Sequence, residues 1–396
     1  MESASGSSST EGRSLGEDRG LSRLICGIRA NVLCRVCQGL QMTRARSDTL
    51  VRRCPPTPSA VYDTYWRFAA RRQEVFHRRV RGEPAPWTTD PVLVTHRFTN
   101  AYRASDRVSQ YLIRHVAYDG DQAPDEVVFR VLLFKLFNRI GTWELLSDAL
   151  GPLRADSFDV DRYDRVLSAA FDQGKRLYSA AYIMPAASRS FRRKHRTHLE
   201  LVRTMLRDAL PQRVISAQSM AEAFRLLLAY GGIGPFLAYQ FVTDLNYSAI
   251  LDFSEMEFVM AGPGARSGLR KCFIDPGDHD EEDLIRLVAE RQLDEFAARG
   301  LPFEDLWGRP LQLIDCQNLF CEVDKYARVA HPEAEGFGRR TRIKQKFRAV
   351  ASPLPMWFPP KWGLNDRLPG ARPQPTTSIR RSSRSTAITP CRRSLI

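Results

Sequence analysis

Between residues 226 and 248 the chain reads LLLAYGGIGPFLAYQFVTDLNYS: two apolar stretches joined by a turn too rich in glycine to be helix itself. Gly231, Gly232 and Gly234 allow positive φ and close backbone approach, and Pro235 suits a first helical position, where its missing N–H is no loss. The second helix then starts on free amides at the positive end of its dipole. That favours an anionic oxygen, such as a nucleic-acid phosphate. Gly232 and Gly234 are the expected phosphate-binding turn of a helix-hairpin-helix; a purely structural turn between two buried helices is the other reading. Such contacts position a backbone without reading its bases. The apolar run is interrupted by three glycines, a proline and a glutamine and is too short to span a membrane.

The segments that follow carry charge. Asp252, Glu255 and Glu257 lie in ILDFSEMEF. In EFVMAGPGARSGLRKCF, Gly262, Gly264 and Gly268 surround Arg266 and precede Arg270 and Lys271, which reads as a flexible basic loop. LQLIDCQNLFCEVDKYARV reads as a helix carrying Asp315, Glu322, Asp324 and Lys325, with Asp315 and Glu322 seven apart on one face and Gln317 and Asn318 adding amide groups. Carboxylates beside a basic loop suit chemistry on a phosphorylated substrate.

In wording and order, GGIGPFLAYQFVTDLNYS, EFVMAGPGARSGLRKCF and DCQNLFCEVDKY resemble the helical domain named after phage 5-hydroxymethyluracil-DNA kinases, which also occurs as stand-alone proteins. FTNAYRASDRVSQYLIRHV and VLLFKLFNRIGTWELL fit the same family, so the resemblance covers residues 61–365. The related alpha-glutamyl/putrescinyl thymine pyrophosphorylases resemble helix-hairpin-helix DNA glycosylases and act in hypermodification of thymine-type bases. The resemblance therefore implies a mostly α, glycosylase-like domain acting on a flipped 5-substituted uracil in DNA. Its implied partners are DNA and a separate kinase or base-oxidising enzyme. Two departures accompany it. No G-x-x-x-x-G-K-[ST] occurs, and AGPGARSG lacks the lysine and the following hydroxyl residue, so kinase chemistry within this chain is not expected. No lysine immediately follows Gly234, where lyase chemistry would use one.

On this reading Glu255 is the first choice of general acid or base and Asp252 the second, with Asp315, Asp324 and Lys325 completing the catalytic set. Arg266, Arg270 and Lys271 clamp phosphate, and Gly262, Gly264, Gln317 and Asn318 join Gly232 and Gly234 in holding DNA. The structural alternative is that each charge caps or pairs within the helices. Catalysis requires the three segments to meet in one cleft beside the hairpin. The rival from another class is a non-catalytic module that recognises modified DNA.

The ends are different material. Residues 1–60 carry nine Arg against five acidic residues and residues 366–396 seven Arg against one Asp, so the two ends hold +10 of the net +14. Neither has a periodic apolar face, and both are expected to be disordered tails around a helical domain at 61–365. Such tails raise salt-sensitive affinity for nucleic acid without naming a target. Two further basic runs, SRSFRRKHRTHLELVR and GRRTRIKQKFR, are expected to line a groove. Eight cysteines without a framework point to a reduced compartment. The CxxC of Cys34 and Cys37 has no partner pair, so no metal site is read from the cysteines, while a metal site of carboxylates stays open and the cofactor is unknown; Cys272, Cys316 and Cys321 read as small buried hydrophobes. The acidic residues Glu2, Glu11, Glu17 and Asp18 disfavour a mitochondrial presequence, and the nucleus is the expected location.

From Val61 the apolar spacing is helical. Helices are predicted at 61–80, 106–116, 125–140 (ended by Gly141), 160–170, 192–209, 220–230, 236–245, 280–298 and 311–331. VLVTHRF (92–98) and PLPMWFPPKW (353–362) are the few strand-like stretches. Tyr239 and Tyr247 flank the hairpin, as helix-packing side chains or as platforms for a flipped base.

Overall fold

The computed structural model describes residues 54–181, 184–187, 190–336, 341–349 and 355–370. The basic tails, apart from the short stretches next to the domain, and the Cys34–Cys37 pair lie outside these residues. Among the described residues the helical spacing produces fourteen α-helices and one two-stranded sheet. None of the helices is long and apolar enough to cross a membrane. All of them belong to the compact unit that begins at Pro56.

The first helix, α1 (Ala60–Val80), starts where Ser59 Oγ accepts from Val61 N. The same hydroxyl donates to the Lys271 carbonyl at 2.5 Å, and just before it β1 (Thr57–Pro58) pairs antiparallel with β2 (Phe273–Asp275). VLVTHRF, strand-like in composition, turns out to be mostly helix. Asp90 caps α2 (Pro91–Thr95) and Pro91 presets its first φ, so extended backbone begins only at His96, which bridges to Lys346. PLPMWFPPKW, described from residue 355, is coil ending in a 3-10 turn, Pro360–Trp362.

After α3 (Arg107–Leu112), which continues as a π turn over Ile113–Ala117, comes the centre of the fold. α4 (Pro124–Phe137) is buried at every position from Glu126 to Phe137, as a helix apolar all round must be. It stops at Asn138, whose φ of 48° is left-handed, so Gly141 does not end it but sits in the first turn of α5 (Ile140–Leu150). Then follow α6 (Val160–Asp172), α7 (Lys194–Arg207), α8 (Leu210–Ile215) and the glycine-linked pair α9 (Met220–Leu228) and α10 (Pro235–Asn246).

AGPGARSG is not a flexible loop but most of α11 (Pro263–Cys272). Its glycines let it lie directly on α14 (Leu313–Ala330). A Cβ at Gly264 would sit 2.3 Å from Cys321 Sγ, and one at Gly268 2.0 Å from the Phe320 carbonyl oxygen. The single helix expected at 280–298 is two, α12 (Glu281–Glu290) and α13 (Gln292–Ala298), broken at Arg291 where ψ rises to 3°. Tyr65 and Trp66 of α1, Phe129 and Phe134 of α4, Tyr239 and Phe241 of α10 and Phe320 of α14 are the large, fully buried side chains of the core.

Candidate active site

One face of α14 forms the wall of an open cleft of about 740 Å³. Gln317, Asn318, Cys321, Glu322 and Lys325 recur along that wall at helical spacing, and the opposite sides come from Arg97 to Thr99, Asp106 to Val108, Asn138 to Gly141 and Arg176. Phe236 and Gly264 close one end. The volume lies in the range of small-molecule sites.

Four helices begin at this cleft; the short α3 does so behind the carboxylate of Asp106, and the other three have beginnings that are alike. The N-cap residues of α5, α10 and α11 are Arg139, Gly234 and Gly262, and none supplies a side-chain cap. By contrast α1, α2, α6, α9 and α12 are capped by Ser59, Asp90, Asp159, Ser219 and Asp280. The first residues of the three uncapped helices line the cleft through Ile140, Gly141, Phe236 and Gly264. Their dipoles add to five cations, Arg97, Arg107, Arg139, Arg176 and Lys325, against Asp106, Glu144 and Glu322. The field suits an anion with several charged oxygens.

Two polar groups make the cleft more than a charge sink. Burial pushes the Asp106 carboxyl up to about 6, opposed by the Asn100 N–H at 2.8 Å and by Arg72, and assisted by Glu322. Asp106 therefore changes protonation near neutral pH, as a group that moves protons must. Gln317 is 1% exposed, and its Oε1 has no hydrogen-bond partner among the described residues. A buried carboxamide oxygen left bare costs stability, and a donor on a bound ligand would relieve it.

Behind the cleft, a smaller cavity of about 150 Å³ shares Asp106, Arg107 and Asn138 with it and reaches Arg103, Lys135 and Asp244. Asp244 takes Arg103 Nη1 at 2.7 Å and Lys135 Nζ at 2.8 Å. Burial lowers the Lys135 ammonium to about 8, against the pull of Asp244. Farther in, Asp315 accepts from the amides of Arg103 and Gln312, while burial drives its carboxyl up to about 7.

Residues 59–336 match the family described as the helical domain of 5-hmdU DNA kinase. The chain belongs to this family. A curated relative, the "5-hmdU DNA kinase" of Bacillus phage SP10, is 26% identical over 324 residues, which cover 75% of this chain and 50% of the relative. The chain thus spans about half the length of the curated relative it matches. No solved structure matches it.

The family segments named from the sequence do not all reach the cleft. Gly264, Gln317, Asn318 and Lys325 line it. Glu255 is buried in an ion pair with Arg309 at 2.6 Å; burial raises its carboxyl, against the pull of Arg309. It and Asp315 interact electrostatically behind the cleft. Asp252 stands exposed, 3.4 Å from Lys361. The clamp of Arg266, Arg270 and Lys271 is split by the helix that carries it: Arg266 faces Glu281 at 3.5 Å, Arg270 is exposed, and Lys271 is buried 3.1 Å from Asp324. Asp324 also accepts from Ser267 and Arg328, so burial, which would raise its carboxyl, is outweighed and the group is held below its usual range. Gly232, at φ 84°, packs on Ala187, where a Cβ would come within 2.8 Å of its Cα; Gly234 faces open space. A Cβ at Gly262 would meet the Phe236 ring at 2.6 Å.

Tyr239 and Tyr247 are core residues, each 1% exposed, which rules out base stacking by either. The first basic run does not line the cleft. Arg193 pairs with Asp172, Arg196 with Asp161 and Glu200, and Arg203 with Glu200, while His195 and His198 are buried. Of the second run, partly outside the described residues, Gln345 lines the cleft. Cys272 and Cys316 are buried as expected, whereas Cys321 is partly exposed on the cleft wall. Asp106, Arg107 and Arg139 lie in two of the segments that fit the family but were not read as site residues, and nothing in its local sequence marks Arg176. Asp244 did leave a signal, as the lone charge of an apolar helix, and Lys135 did as the one charge in the apolar second half of α4.

Proposed function

We propose that this protein is a DNA base hypermodification enzyme acting on 5-hydroxymethyluracil-type bases, with the cleft on α14 as its site. The observation that carries the reading is the meeting, in one cavity, of three uncapped helix starts, five cations, the bare Gln317 oxygen and the Asp106 carboxyl. The name of the phage relative, a 5-hmdU DNA kinase, supports the substrate class. Arg107, Arg139, Arg176 and Lys325 would hold phosphate oxygens, together with the amides at Gly234 and Gly264. Asp106 would take the proton of an incoming nucleophile as a phosphate or pyrophosphate leaves the 5-methylene carbon. Glu255 and Asp315, in the buried network, would set the charge behind it. The kinase that prepares the base would be a separate protein, and the nucleus is the compartment in which the two would meet DNA.

Mass spectrometry of nucleosides from host DNA, with and without the protein, tests the reading. A thymine-derived nucleoside that appears or disappears with the protein, and fails to do so with Asp106→Asn, supports it. If the variant and the parent bind DNA alike and no nucleoside changes, the protein is a reader of modified DNA instead.

A further inference from the structure

On the other side of Phe98 from the cleft lies a second cavity, of about 350 Å³. Its walls are apolar and largely flat: Val75, Trp87, Leu93, Phe98 and Phe347. The Trp87 indole N–H is already spent on the Glu83 carbonyl at 2.7 Å, so that ring offers the cavity only a hydrophobic surface. The charged group in this lining is Arg72, which is 7% exposed.

Arg72 is an unusual buried cation. Among the described residues, Arg103, Arg130, Lys135 and Lys271 are also buried, and each has a carboxylate at ion-pair distance. Arg72 has none. Its Nε donates to the Thr99 carbonyl at 2.8 Å and its Nη2 to Asn100 Oδ1 at 2.6 Å, both neutral acceptors. Among the described residues its Nη1 has no partner, and neither has His96 Nδ1 in the same lining. Burial lowers the guanidinium to about 10, which still leaves it charged at neutral pH. Buried charges are normally paired, because an unpaired one forfeits its hydration without return.

We propose that this cavity binds a small aromatic monocarboxylate, with its ring between Trp87, Phe98 and Phe347 and its carboxylate on Arg72 Nη1. A carboxylate supplies a counter-charge in direct contact and the missing acceptor together, and the flat apolar walls take up a planar body. A phosphate ester would bring a second charge that this lining, with one guanidinium, does not match.

Calorimetric titration of the full chain with naphthalene-2-carboxylate and with naphthalene-2-carboxamide tests the assignment without DNA. The carboxylate is expected to bind about ten-fold or more tightly than the amide, the margin typical of a charge-assisted bond. Arg72→Gln should erase that preference. Val94, 47% exposed and part of the same lining, gives a second variant that does not disturb the core: Val94→Trp should block both probes. Equal affinity for the two probes, no binding of either at millimolar concentration, or unchanged binding in Val94→Trp overturns the proposal.

Discussion

Arg103 donates Nη1 to Asp244 Oδ1 at 2.7 Å and Nη2 to Oδ2 at 2.8 Å, a two-pronged ion pair in which both side chains are almost wholly buried. Lys135 lies 2.8 Å from the same carboxylate, so one anion serves two cations on three separate elements. Burial alone would raise the Asp244 carboxyl, but the two cations outweigh it and hold it below its ordinary value. The pair's contribution is therefore complete above about pH 4, the unfolded value, and is lost as pH falls through the lower folded value.

Removing that anion strands two buried positive charges. Asp244→Asn is expected to cost about 3–5 kcal/mol in urea unfolding at pH 7, as breaking a buried pair from one side does. A loss below about 1 kcal/mol would mean that the pair is hydrated and adds little.

Asp106 predicts opposite pH trends for binding and turnover. Its carboxyl titrates at about 6 in a cleft built for anions, so DNA affinity should rise as pH falls through 6 and turnover should decline over the same interval. Asp106→Asn should flatten the binding profile and bind more tightly than the parent at pH 7.5. Fluorescence anisotropy with a 5-hydroxymethyluracil duplex between pH 5 and 8 distinguishes the cases, and a profile identical in parent and variant removes Asp106 from the site.

The cleft cations make a quantitative prediction about salt. If Arg107 and Arg139 each neutralise a phosphate, replacing both with Ala should reduce the slope of log K against log salt by roughly 2 and weaken binding to every sequence alike. An unchanged slope would place the DNA elsewhere on the protein.

Helices were legible wherever a long apolar period existed, and less so where tertiary contacts decide. VLVTHRF has the β-branched content of a strand, but one capping carboxylate and one proline outweigh it. AGPGARSG has poor helix propensity, yet Gly264 and Gly268 make the close approach to α14 possible, and that packing, absent from any local pattern, sets the conformation. The same cause separated the expected site residues. Once the segment is a helix, Arg266 and Lys271 project to different sides, one exposed and one buried on Asp324, and only Arg266 and Arg270, four apart, share an exposed face. Asp106 and Arg139 become neighbours in the cleft only through contacts between distant segments.

The glycine inside α11 and the one at the start of α10 should separate by mutation. Gly268→Ala pushes a methyl group into the Phe320 carbonyl, a backbone atom that cannot step aside, and should cost at least about 1–3 kcal/mol. Gly234 has nothing within 4 Å of a built Cβ, so Gly234→Val should stay within about 0.5 kcal/mol of the parent in stability. It should nonetheless lose DNA affinity, because the branched side chain stands over the amides at the start of α10. A folded Gly234→Val protein with parental affinity would show that this turn is structural only.

The last prediction concerns where the domain begins. The net +10 of the tails lies outside residues 56–370, since Asp366 and Arg367 cancel, so a chain cut to that span should melt cooperatively like the full chain and show a shallower salt dependence of DNA binding. Cutting five residues further in is a different matter. A chain starting at Val61 loses the Thr57–Pro58 pairing with Phe273–Asp275, the Ser59 cap on α1 and the Ser59 hydroxyl bond to Lys271, at the site where α1, α11 and β2 meet. The cap alone is worth about 1 kcal/mol, and the pairing adds to it. Thermal melts of the two truncated chains decide the point: equal midpoints would show that residues 56–60 are as dispensable as the tail before them.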